Sequence, residues 1–153
     1  AYILCDVQEG SFIGKIKLST GEWVWKKKRH DVPTWTTPTI GQVGKKTQVL
    51  VNGWKETAAY DAETGERIWW LSGGGDIPVP TPIVGENLAY FTSAHGRFRP
   101  MRAVRLTAKG EITPPEVKDT NEHIAWVHHR HGNYMQTPLL LGKNLFACKT
   151  PIF

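Results

Sequence analysis

Cysteine is nearly absent from this chain, and so is any long apolar run. The 153 residues hold two cysteines, Cys5 and Cys148, too few for the disulfide framework of a small secreted scaffold. Each stands inside an apolar run, so buried free thiols are expected. No segment approaches the roughly 20 consecutive apolar residues of a membrane-spanning helix. The residues after Ala1 lack the basic, apolar and small-residue order of a signal peptide. Helical periodicity is missing too, and helices are not expected. Carboxylates are outnumbered: 14 Asp and Glu against 19 Lys and Arg give a net charge of +5. The excess gathers in Lys26-Lys27-Lys28-Arg29-His30 and between Arg97 and Arg105. Basic runs can mark nucleic-acid surfaces, but lysines also guard solvated outer strands against edge pairing. The second reading is adopted, with no nucleic-acid partner.

Tryptophan, glycine and proline are plentiful instead, with 7, 15 and 10 residues, and they recur in register. Thr-Gly-Glu-x-x-Trp occupies residues 20–25 and returns at 64–69, a shift of 44. Thr-Pro stands at Thr37, Thr81 and Thr137, in steps of 44 and 56. Trp25 and Trp69 each precede a Thr-Pro proline by 13 residues, and Trp126 by 12. Two markers keeping register over such a period indicate a repeat architecture.

Within one period, short β-rich runs at 36–40, 48–51, 57–60 and 67–71 are separated by Gly, Asn and Asp turns. The next period repeats them at 79–84, 87–92, 102–106 and 123–128. Four antiparallel strands in about 44 residues match a β-propeller blade, and closed propellers carry roughly four to eight. The expected fold is all-β, a partial β-propeller. Residues 1–30 form a partial blade with strands two to four (2–7, 12–18 and 23–26), and 31–73 a whole blade. Residues 74–130 form a whole blade with a polar insertion at 111–122, and 131–153 a partial one with strands at 136–141 and 144–149. The register points to a piece of a longer chain.

Residues 59–69 carry the pattern Ala-x-Asp-x-x-Thr-Gly-x-x-x-Trp. This resembles the tryptophan-docking motif of the PQQ-like, quinoprotein-type β-propeller repeat family. The resemblance implies that the motif joins the third and fourth strands of a blade. It also implies that the indole stacks between its own Ala and the Gly peptide of a neighbouring blade. Ala59, Asp61, Thr64, Gly65 and Trp69 match fully. Thr20, Gly21 and Trp25 match in the first unit, where Lys15 and Lys17 replace Ala and Asp. Ala103, Gly110 and Trp126 match loosely in the third. The chain looks more like the non-catalytic, BamB-like repeat proteins, among them the scaffold lipoprotein of the outer-membrane barrel-assembly machinery, than like quinoprotein alcohol dehydrogenases. That implies a non-enzymatic protein of the periplasm or another extracytoplasmic space, bound to protein partners or to further blades.

A quinoprotein enzyme would need a PQQ pocket, a calcium site rich in carboxylates, a general base and adjacent cysteines. Asp6, Asp31, Asp76 and Glu86 are scattered, and Asp61 is better explained as a turn cap. No catalytic residue or cofactor is expected. PQQ and calcium enter only if the chain is a non-catalytic slice of a dehydrogenase. In His128-His129-Arg130-His131 a strand would place His129 and His131 on one face and His128 on the other, and with His123 no metal site is expected. Gly73-Gly74-Gly75-Asp76 lacks the Lys-Ser/Thr and helix of a phosphate loop and reads as a crossover between blades. Trp23, Trp35, Trp54 and Trp70 are expected in blade-to-blade packing. Trp35 and Tyr134, just before Thr-Pro segments, with His95 and His131, are also candidate ligand contacts at a channel mouth. An open aromatic face there would favour a carbohydrate- or polymer-binding propeller.

Overall fold

The computed structural model describes residues 1–116 and 120–148. Among them there is no helix and there are fourteen strands. The first sheet holds β1 (Tyr2–Cys5), β2 (Phe12–Ile16) and β3 (Trp23–Lys28), in that order. The second is built from β4 (Thr39–Val43), β5 (Lys46–Val51), β6 (Glu56–Asp61) and β7 (Arg67–Ser72). Then follow β8 (Ile83–Gly85), β9 (Leu88–Thr92), β10 (Met101–Arg105), β11 (Gly110–Glu111) and β12 (Ile124–His128). Of these, β8, β9, β10 and β12 make the third sheet, in the order β12-β10-β9-β8. A hairpin of β13 (Leu139–Leu141) and β14 (Asn144–Phe146) closes the described chain. The expected 144–149 strand reaches Lys149, outside the described residues.

The second sheet is buried on both faces. Val49, Leu50 and Val51 in β5 are fully enclosed, as are Ala58 and Ala59 in β6. Because successive strand residues point to opposite faces, their side chains divide between two layers. Val49, Val51, Ala58 and Tyr60 join Ile13 and Trp25 of the first sheet. Leu50, Ala59, Trp69 and Leu71 join Ala89, Phe91, Val104 and Ile124 of the third. The core is therefore two layers between stacked sheets.

Three expectations need correction. The innermost strands begin about three residues later than the apolar runs suggested, at Thr39, Ile83 and Leu139. The Thr-Pro segments before them bond to one another instead: Trp35 N donates to Pro78 O at 3.0 Å, and Thr81 N to Thr137 Oγ1 at 3.1 Å. The insertion at 111–122, expected as a loop, contributes β11, which pairs in parallel with β7 at Gly110–Trp69 and Glu111–Trp70. Residues 117–119 of it lie outside the described residues. The cysteines are not both buried: Cys5 is half-buried and Cys148 exposed, because β1 has a neighbour on one side only and Cys148 follows the exposed final hairpin.

Trp69 is fully enclosed and meets the Phe91 ring edge-on at 5.7 Å. Trp69→Ala is expected to cost about 3–5 kcal/mol by urea denaturation. Half-buried Trp54→Ala should cost clearly less. Equal losses would remove Trp69 from its place at the centre of the second layer.

Candidate functional site

The turn between β6 and β7 organises one side of the second sheet. Asp61 accepts the amides of Glu63 and Thr64, each at 2.9 Å, and the Thr64 amide above all holds its carboxyl below the usual range. Thr64 Oγ1 accepts Glu66 N at 3.2 Å. The turn leaves Gly65 at φ +72°, close to Gly21 at +73° and Gly110 at +71°. Against Gly65 lies the indole of Trp25 from the preceding sheet. A methyl group added there would stand 2.6 Å from the ring, and Trp25 Nε1 donates to Ala62 O at 3.2 Å. Trp69 meets its following turn differently, paired with Gly110 through the backbone and with its Nε1 lacking a partner among the described residues. Ala59 sits beside Trp69 on the neighbouring strand. Trp126 pairs with Ala103 and packs on Tyr90, ring centroids 5.8 Å apart. Thr20 accepts Glu22 N at 3.3 Å.

The basic runs are not wholly solvated, which the sequence reading missed. Arg29 is buried among acceptors: Nε donates to Asp6 at 2.8 Å, Nη2 to Asp31 at 3.0 Å and Nη1 to the Tyr60 hydroxyl at 3.0 Å. Burial disfavours its charge, yet Tyr60, Asp6 and Asp31 more than offset this and hold its pKa above the ordinary value. Asp31 also accepts the amides of Val32, Lys55 and Glu56, so the cluster fixes the loop that carries Trp54. The sequence signal was available: Asp31 stands two residues from Arg29 and offers it a carboxylate at the end of the basic run.

That loop belongs to a wider surface. The β5–β6 loop is laced to the β7–β8 crossover by Gly73 N to Lys55 O at 2.9 Å and Gly74 N to Trp54 O at 3.0 Å. The β9–β10 loop is laced to the segment after β12 by Gly132 N to Arg99 O at 3.0 Å, and Asp76 bridges to His95 between the two pairs. These loops enclose a groove of about 810 Å³ whose walls include Trp54, Gly73, Arg97, Phe98, His129 and Arg130. Phe98 stacks with His129 at 6.5 Å and has Arg102 over its ring at 5.1 Å. A second, mostly apolar slot of about 590 Å³ is lined by Val32, Pro33, Trp35, Trp54 and Ile77.

The four candidate channel-mouth residues do not converge. His95 and Tyr134 meet at 5.5 Å, while Trp35 lies apart in the apolar slot. His131 pairs with His128 at 5.6 Å, not with His129, because β12 ends at His128 and the strand alternation stops there. Trp23 and Trp35 do not pack between blades: they are 45% and 61% exposed. Half-buried Trp70 lies under the Arg67 guanidinium at 3.9 Å. Among the described residues no three His, Cys, Asp or Glu gather as a metal site.

The stacked sheets have a counterpart among solved structures. BamB from Moraxella catarrhalis superposes with a TM-score of 0.60 over 94% of this chain, at 15% sequence identity. The fold is that of a β-propeller. The chain spans 41% of the length of that protein. No family model and no curated protein matches the sequence.

Two pairs of substitutions test this geometry. Gly65 and Gly21 share a left-handed backbone, which costs a non-glycine residue roughly 1–2 kcal/mol. Only Gly65 has a ring where the new methyl would go. Gly65→Ala should exceed Gly21→Ala by about 1–3 kcal/mol, measured by denaturation; equal losses would mean that Trp25 yields freely. Asp31→Ala leaves Arg29 partly unpaired in the interior and should cost about 3–5 kcal/mol. Lys15→Ala, which breaks the more exposed pair with Glu63, should cost under about 1 kcal/mol.

Proposed function

We propose that this chain is part of a non-enzymatic, extracytoplasmic β-propeller that acts as a protein-interaction scaffold. The observation that carries the reading is the groove on the loop-bearing face. Side chains from separate loops converge there, and Trp54, Phe98, Arg97 and Arg130 are the residue types that anchor protein interfaces. The structural likeness to BamB supports it at the level of fold, and Trp25 on Gly65 is the contact that a tryptophan-docking motif of the PQQ-like family would make. No helix among the described residues is long and apolar enough to cross a membrane. Of the carboxylates considered for a calcium–quinone pair, Asp6 and Asp31 are engaged by Arg29 and Asp61 caps its turn. A second reading, a carbohydrate- or polymer-binding propeller, draws on exposed Trp35 in the apolar slot.

The test is photo-cross-linking in intact cells, with a photoreactive side chain placed at Phe98 or, as control, at Leu18, which is 83% exposed in a turn between strands. Discrete protein adducts at Phe98 and not at Leu18 are the expected result. No adduct at Phe98, with polysaccharide quenching the Trp35 fluorescence, would replace the scaffold by the polymer-binding reading.

A further inference from the structure

We propose that the apolar slot and the basic groove form one continuous track for an extended acidic segment of a partner protein, an apolar side chain seated by Trp35 and Trp54 and carboxylates held at Arg97 and Arg130. This deepens the scaffold reading and rests on it. Continuity comes from Trp54, which lines both cavities. The slot is floored by Val32, Pro33 and Ile77 and bounded by Trp35, a surface that buries an apolar side chain well. At the groove, exposed Gly73 has open space where a side chain would stand, so a second main chain can approach its backbone closely.

Charge selects the ligand. Arg97 and Arg130 line the groove, and neither makes an ion pair with a carboxylate among the described residues. Behind them stands Arg102, 3% exposed. Its Nη1 donates to Gly73 O at 3.0 Å and its guanidinium lies over Phe98, both residues of the groove wall. Buried charges are ordinarily paired, and Arg29, equally enclosed in the same chain, has two carboxylates. Arg102 has none among the described residues, and burial lowers its pKa to about 10, so it stays charged at neutral pH. A carboxylate bound in the groove supplies the missing counter-charge. Asp76 and Glu116 also line the groove, so it distinguishes where carboxylates fall and not only how many there are. Ile77 lines the slot next to Asp76 of the groove and sits at φ +44°, a left-handed conformation costly for a β-branched residue. It is held between the Asp76–His95 bridge and the Pro78 carbonyl that accepts Trp35 N.

The test uses fluorescence anisotropy on the whole protein with three labelled peptides: alternating Glu and Phe, the same with Gln for Glu, and the same with Lys for Glu. The Glu peptide is expected to bind at least roughly tenfold more tightly than the Gln peptide, with affinity falling as salt rises, and the Lys peptide not at all. Arg97→Glu with Arg130→Glu should abolish the preference, and Trp35→Ala should weaken the Glu peptide. Arg102→Met should weaken binding while leaving the melting temperature unchanged or higher, which a merely structural arginine would not do. Equal binding of the Glu and Gln peptides would overturn the acidic track, as would displacement by inorganic phosphate or by a thymidine oligonucleotide at equal concentration. Should adducts still form at Phe98 in cells, the scaffold reading survives that outcome. Should both fail, both readings fall.

Discussion

Every second side chain along β5 and β6 belongs to a different hydrophobic layer, and this alternation joins the three larger sheets into one stack. Val49 and Val51 reach back toward the first sheet, and Leu50 reaches forward to the third. A strand with both faces buried cannot slip by one residue without exchanging its two layers, so the register is tightly held. Each layer holds one of the motif tryptophans. Trp25 lies flat on a turn that only glycine can complete, and Trp69 fills the second layer beside Ala59, whose small side chain makes room for it.

Much of the architecture was legible from two markers in register. The Thr-Gly turn and its tryptophan identified four-stranded units, because each marks a backbone geometry that recurs once per blade. The edges of those units were harder to read. Apolar content alone placed the first strands too early, since Thr36 and Thr81 look strand-like while the prolines beside them cannot donate to a ladder. The polar insertion read as loop because nothing in its composition shows that Gly110–Glu111 would find the edge of β7. Pairing in trans leaves no local trace.

The site was less legible than the fold. Trp35, His95, His131 and Tyr134 were singled out by their position along the chain, and the structure places them in three separate surroundings. The groove depends instead on residues that a charge count treats as solvated. Arg29 and Arg102 both come from basic runs, and both are interior. Their difference is what matters: one is surrounded by carboxylates that anchor a loop, and the other, among the described residues, faces a carbonyl and a ring and no carboxylate. Sequence records the charge of each but not whether it is answered.

The short strand β11 has a consequence for how such a protein meets others of its kind. An exposed outer strand offers its free amides and carbonyls to any extended chain nearby. At the second sheet that offer is already taken by a segment borrowed from the third. Among the described residues, the outer backbones of β3 and β12 carry no such cover. The rim therefore has a direction: a foreign strand finds the outer edge of one blade partly covered, at Trp69 and Trp70, and the described edges beside it uncovered.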